Sequence, residues 1–272
     1  MKKILFSLLI LTSMFIFLGC DINKIVFEGN DILKTKELKE LSLAETYQLQ
    51  INNINLKTGS IKIDIIEGEE SLISIKTDEN ILEDLDITLK GNLIKIIGDK
   101  KYRYDVKEFT IEITKVKLNK LILEGAFKYT DEVGNYDSAL EIDVKGVFDV
   151  DLQLGNGLEK LKIKVDGISN ANFVSLDIQE LNLHVNGTFN IAAVGKTTKL
   201  IIDANGMMNL DLKDLQVKVA TINMDGTINS SFYVTDDLSM DVDGLGNIDY
   251  YGNPEIENIE TDGLIVVTKK AK

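Results

Sequence analysis

The sequence predicts an all-β protein built as a parallel β-solenoid, and three observations predict it. A strand-like phrase ending in Asp-Gly or Asn-Gly recurs as KLKIKVDG (160–167), ELNLHVNG (180–187), KLIIDANG (199–206) and LSMDVDG (238–244). Glycines 125, 146, 167, 187, 206, 226, 244 and 263 are separated by 21, 21, 20, 19, 20, 18 and 19 residues, the period of a stacked repeat. Side chains keep register with that beat. Two residues before the glycine stand Leu123, Val144, Val165, Val185, Ala204, Met224, Val242 and Thr261. Four before stand Leu121, Ile142, Ile163, Leu183, Ile202, Ile222, Met240 and Ile259, and six before, the middle units give Leu140, Leu161, Leu181, Leu200, Ala220 and Leu238. A spacing of two puts these on one strand face.

Each unit reads as strand, glycine corner, strand, second turn. A sharp corner calls for positive φ or close backbone approach, which glycine supplies. Asp166, Asn186, Asn205, Asp225, Asp243 and Asp262, just before it, suit turn geometry. A hairpin meander would use the same dipeptides for two-residue turns. It would not need a fixed unit length or registered apolar columns, so parallel stacking is the expectation.

Upstream of the repeat, MKKILFSLLILTSMFIFLGC has two lysines followed by the largely apolar run Ile4–Leu18. Its 15 residues are short for a spanning helix, which takes about 20, and fit a secretory leader. FLGC resembles a bacterial lipobox: Gly19 precedes Cys20, the only cysteine. Phe17 and Leu18 depart from the commonest pattern and look like the looser boxes of spirochaete lipoproteins. The resemblance implies cleavage after residue 19, acylation of Cys20 and a membrane anchor carrying more than one chain. Residues 20–42 then read as a lipidated tether, with Ile32, Leu33, Leu38 and Leu41 able to form a short amphipathic helix. From residue 43 the period becomes two, so 43–272 is expected to be one β-domain, with a loop or short helix at Asn80–Leu85.

VDGLGNIDYYGNPEI (242–256), the preceding VDG/VNG units and the strand–EGEES–strand stretch resemble the DUF2807 family, the auto-transporter adhesin head GIN domain, over roughly residues 43–268. The resemblance implies a right-handed parallel β-helix-like fold on a secreted or lipid-anchored envelope protein of bacteria. It supplies no catalytic residues.

Composition narrows the function. The formal net charge of −14 becomes −16 when the two leader lysines go, and such a surface repels nucleic acid and anionic lipid headgroups. A single cysteine makes neither a disulfide nor a thiolate metal site. The absence of Trp argues against an aromatic sugar platform. Asp166, Asp225, Asp243 and Asp262 would share a column and raise the question of a calcium row. Turn chemistry explains them better, since Lys145, Asn186 and Asn205 interrupt the row. Asp149 with Asp151, and Asp241 with Asp243, share strand faces and could serve glycoside cleavage, but no Arg, Trp or His flanks them. His184 lies between inward Leu183 and Val185 and should face solvent. Phe232, Tyr233, Tyr250 and Tyr251 suggest core plus a partly exposed cap, and the Lys-rich end of LIVVTKKAK should blunt an exposed edge.

The expected protein is therefore a lipid-anchored envelope β-solenoid with a non-catalytic binding, adhesion or structural role. It calls for no catalytic, cofactor or metal residues, and Cys20 is its one modified site. Its partners are the membrane through Cys20, placed at the outer membrane or cell surface, and a glycan or protein ligand there. A polysaccharide-processing enzyme on a β-helix scaffold is the alternative.

Overall fold

The computed structural model describes residues 24–39, 41–131, 133–134, 136–153 and 157–271. The expected leader and Cys20 lie outside them. The described chain is all-β apart from one short helix, and its large sheet is mixed and not closed as a barrel. The elements are β1 (Ile25–Glu28), β2 (Leu33–Leu38), β3 (Thr46–Asn52), β4 (Ile61–Ile66), β5 (Leu72–Asp78), α1 (Glu79–Asp84), β6 (Asp86–Lys90) and β7 (Leu93–Ile97). They continue as β8 (Tyr102–Asp105), β9 (Thr110–Thr114), β10 (Lys117–Asp131), β11 (Tyr136–Gln153), β12 (Lys160–Tyr251) and β13 (Glu255–Lys269).

From β10 onward the pairing is parallel. Leu121 lies opposite Ile142, Gly125 opposite Gly146 and Phe127 opposite Phe148. Ile142 is in turn opposite Ile163, and Gly146 opposite Gly167. At the far edge Gly244 pairs with Gly263. The 92 residues of β12 cannot be one straight strand; at about 3.3 Å per residue they would span roughly 300 Å. The run bends at its glycines and lies along itself. A Cβ on Gly187 would sit 2.0 Å from the Gly167 carbonyl oxygen, one on Gly206 2.0 Å from that of Gly187, and one on Gly226 2.0 Å from that of Gly206.

The apolar columns form the core. Leu123, Val144, Val165, Val185, Ala204, Met224 and Val242 are all buried, as are the residues four before each glycine from Leu121 to Met240 and those six before from Leu140 to Leu238. The last unit differs: Ile259 is half-buried and Thr261 exposed, because β13 has β12 on one side and no described strand on the other. A further column two residues after each glycine holds Phe127, Phe148, Ser169, Phe189, Met208 and Ile228, all buried. Ser169 interrupts it, and its hydroxyl has no hydrogen-bond partner among the described residues. An unpaired buried hydroxyl costs about 1–3 kcal/mol. Ser169→Ala is thus expected to raise stability by about 1 kcal/mol, read from the midpoint of chemical denaturation.

The N-terminal part departs from a uniform stack. β10 rests on β3 through its first half and on β4 through its second, both parallel. β3 then pairs with β7, and β4 with β9, again parallel. Below them β6 runs antiparallel to β7, β5 antiparallel to β9, and β2 antiparallel to β5. Among the described residues of 31–42, the amphipathic helix their spacing allows does not form. Leu33–Leu38 is strand β2, Ile32 is exposed and only Leu41 is buried. Strand β1 pairs with β8 in a separate two-stranded sheet. Edge pairing to an existing sheet satisfies more backbone groups than one isolated helical turn does.

Three buried tyrosines sit on strands, Tyr104 on β8, Tyr129 on β10 and Tyr136 on β11. The Tyr129 and Tyr136 hydroxyls are 3.0 Å apart, and Tyr104 donates to Asp84 Oδ2 at 2.7 Å. Burial is the main reason all three phenols titrate far above their usual pH, with Asp131 reinforcing it at Tyr129 and the hydrogen bond to Asp84 at Tyr104. A raised folded-state value means that the stability is complete below pH 10, where the unfolded tyrosines are protonated, and is lost as pH rises above it. Each phenol then contributes a slope of about 1.4 kcal/mol per pH unit. We expect the phenolate absorbance of these three to appear only together with loss of the β-sheet circular dichroism signal.

Candidate outer polar face

The strand after each glycine alternates inward and outward. The outward positions three residues past the corner form a column, Asp149, Asn170, Asn190, Asn209, Asn229 and Asn247. Parallel in-register stacking brings these side chains into a ladder. Asn170 Nδ2 donates to Asp149 Oδ1 at 2.6 Å, Asn190 Nδ2 to Asn170 Oδ1 at 2.9 Å, and Asn229 Nδ2 to Asn209 Oδ1 at 3.2 Å. Next to it, Asp151, Asn172, Ala192, Asp211 and Ser231 form a second outward column. Asp211 accepts from Lys213 at 2.8 Å and from Ser231 at 3.1 Å. The Lys213 hydrogen bond is the main cause holding the Asp211 carboxyl below its usual range. Together the columns line a shallow, open depression with Lys128 at one end.

This surface is polar and periodic, with one amide or carboxylate per strand spacing of about 4.8 Å. Its donors and acceptors are partly engaged with each other, which orders the side chains and leaves their remaining atoms facing solvent. Asp149 and Asp151 both lie here, with no aromatic side chain among the lining residues. Asp149 is engaged by Asn170. No observation on this face supports the glycoside-cleavage reading.

The other candidate residues lie elsewhere. The residues preceding the corner glycines form their own outward column, in which Asn186 Nδ2 reaches Asp166 Oδ1 at 3.4 Å and Asp243 pairs with Asp262. Asp241, Asp243, Glu260 and Asp262 line a second shallow depression near the C-terminal edge. Among the described residues no group of three or more His, Cys, Asp or Glu is placed to hold a metal ion. His184 faces outward, and its Nδ1 is 3.0 Å from Asp203 Oδ2 one unit on. Glu141 bridges Lys120 and Lys164 at 3.3 and 2.6 Å, and the Lys164 bond is the chief cause lowering its carboxyl. At the C-terminal end Phe232 is buried and Tyr250 packs against the core. Lys269 reaches Asn253 Oδ1 at 2.9 Å.

A three-ring cluster sits at the opposite end. Phe27 lies 4.8 Å from Tyr102 and 5.9 Å from Tyr104 by ring centroid, and Lys101 stands 4.5 Å over the Tyr102 ring. Sequence reasoning missed it because Phe27 and Tyr102 meet only through the β1–β8 pairing. The Asn column was visible in sequence, but its amide-to-amide bonding follows from parallel register alone.

The fold and this face define a class: an all-β protein whose parallel strands stack in register and present repeating polar columns. The chain belongs to the DUF2807 family, described as "Putative auto-transporter adhesin, head GIN domain", whose model matches residues 54–254. Its fold is shared with a protein from Parabacteroides distasonis described as a "Putative lipid binding protein", at 19% identity, covering 90% of this chain and 100% of that chain, with a TM-score of 0.71. A "putative adhesin" from Parabacteroides merdae is 19% identical over 90% of this chain and 99% of that one, with a TM-score of 0.63. A "putative adhesin" from Bacteroides fragilis is 17% identical over 90% and 100%, with a TM-score of 0.56. No curated protein matches the chain.

Proposed function

We propose that this is a lipid-anchored protein of the bacterial cell envelope whose head binds or adheres without catalysis. In this reading residues 1–19 are removed, Cys20 carries the acyl chains, and 43–272 is the head, wound as a right-handed parallel β-helix. The parallel pairing of β10 through β13 and the stacked corner glycines support that winding, and parallel crossovers are right-handed almost without exception. The family description and the fold likeness to proteins described as adhesins support a surface role. No helix of the described residues is long and apolar enough to cross a membrane.

The observation that carries the binding role is the Asp149–Asn170–Asn190 ladder. A row of like polar groups at a fixed interval suits an extended glycan or polypeptide lying along it better than a compact metabolite. Palmitate labelling of the wild type and Cys20→Ala, protease shaving of intact cells, and a glycan and host-matrix screen test the parts in turn. We expect labelling to vanish in Cys20→Ala. Binding should fall at least tenfold in an Asn190→Leu/Asn209→Leu variant of unchanged melting temperature. Undiminished binding by that variant sinks the assignment of this face.

A further inference from the structure

We propose that the β1–β8 sheet is a foot that rests on the bilayer surface, so that the head stands directly on the membrane. The inference rests on the anchor at Cys20 proposed above. The first described strand begins at Ile25, whose backbone N–H donates to the Lys101 carbonyl at 3.1 Å. Five residue steps separate Ile25 from Cys20, and a fully extended chain covers about 17 Å in that distance. The segment read from sequence as a tether thus supplies almost no leash, because β1 pairs with β8 and β2 with β5, both strands of the head.

The chemistry of the sheet fits that position. Ile25 and Val26 are 60% and 43% exposed, whereas the interior columns are buried. β8 places Tyr102 opposite Ile25 and Arg103 opposite Val26. Lys57, Lys100, Lys101 and Arg103 crowd this corner beside Asp99 and Asp105, which pair with Lys101 and Lys57 at 2.6 Å each. Glu28, opposite Asp105, and Asp84, which accepts from Tyr104, bring the carboxylates here to four, so the charges balance at this corner of a chain with 44 acidic and 30 basic residues. Apolar side chains flanked by an aromatic ring and cations match the interface of a bilayer carrying anionic headgroups. β1 also has no described strand on its other edge, and the repeating units extend away from it.

The chain contains no Trp, so a single introduced indole reports depth. Full-length acylated protein would be reconstituted into vesicles of phosphatidylethanolamine and phosphatidylglycerol containing brominated lipid. Val26→Trp should be quenched at least threefold, and Met207→Trp, on an exposed position four units along the stack, should not be quenched. Lys100→Glu/Arg103→Glu, or ten Gly-Ser residues inserted after Asp21, should abolish the Val26→Trp quenching while palmitate labelling persists. Labelled protein with equal, weak quenching at both positions overturns the foot and leaves the anchor standing. Loss of labelling with retained fold overturns the anchor itself.

Discussion

Gly206→Ala should lower the unfolding free energy by roughly 3–5 kcal/mol and the melting temperature by roughly 10 °C. Gly206 has φ +127°, where a side chain is strained, and its added Cβ would lie 2.0 Å from the Gly187 carbonyl oxygen and 2.9 Å from the carbonyl carbon. The obstacle is backbone, so no rotamer change relieves it. Strain alone accounts for about 1–3 kcal/mol, and forcing the two units apart adds a comparable amount. Gly59→Ala separates the contributions. Gly59 has φ +77° and nothing within 4 Å of the added Cβ, so it should show only the strain. Equal melting temperatures for the two variants would mean that the stacked corners do not press on each other as described. The same argument applies to Gly226, whose Cβ would meet the Gly206 oxygen at 2.0 Å.

The parallel register from β10 onward was legible because its pattern is periodic. A column such as Ile142, Ile163, Leu183 and Ile202 announces a buried face through spacing alone, and a glycine every twenty residues or so announces where backbones touch. The N-terminal part was less legible because its partners are remote and its strands change direction. Leu33 through Leu38 pairs antiparallel with residues 73–78, and the local sequence of LKTKEL carries no strong strand signal. The site was legible in part. The Asn column could be read from sequence, but hydrogen bonds between residues about twenty apart exist only once parallel register is fixed. The phenylalanine column of Phe127, Phe148 and Phe189 went unnoticed because Ser169 breaks its pattern. The β1–β8 ring cluster had no sequence signal at all, since nothing near Phe27 points to Tyr102.

Asp78→Ala should release the N-terminal segment from the head while the repeats remain folded. Asp78 is fully buried. It stands at the N-terminus of α1 but makes no side-chain cap bond there. Its carboxylate instead accepts from the Asp31 backbone N–H and from that of Lys107, each at 2.8 Å. Gly29 packs against it so closely that a Cβ would lie 2.5 Å from the carboxyl carbon. Asn80 completes the clamp by accepting from Asn30 N–H at 3.0 Å and donating to the Glu28 carbonyl at 2.8 Å. Removing the carboxylate strands two backbone donors, and hydrogen bonds to a charged group are worth about 1.5–3 kcal/mol each. The expected local loss is about 3–4 kcal/mol. That corresponds to a rise of more than a hundredfold in amide exchange across residues 28–36, with protection from 140 to 250 unchanged. Asp78→Asn keeps one acceptor oxygen and should fall between the two. Unchanged exchange in 28–36 would show that the β2–β5 pairing alone holds the segment, and uniform loss of protection would show that Asp78 supports the whole fold. Under the anchor proposed at Cys20, the same release would lengthen the leash from five residue steps to more than ten and free the head from the bilayer. The Val26→Trp signal should then no longer report the orientation of the repeats, because the carboxylate couples the foot to the stack above it.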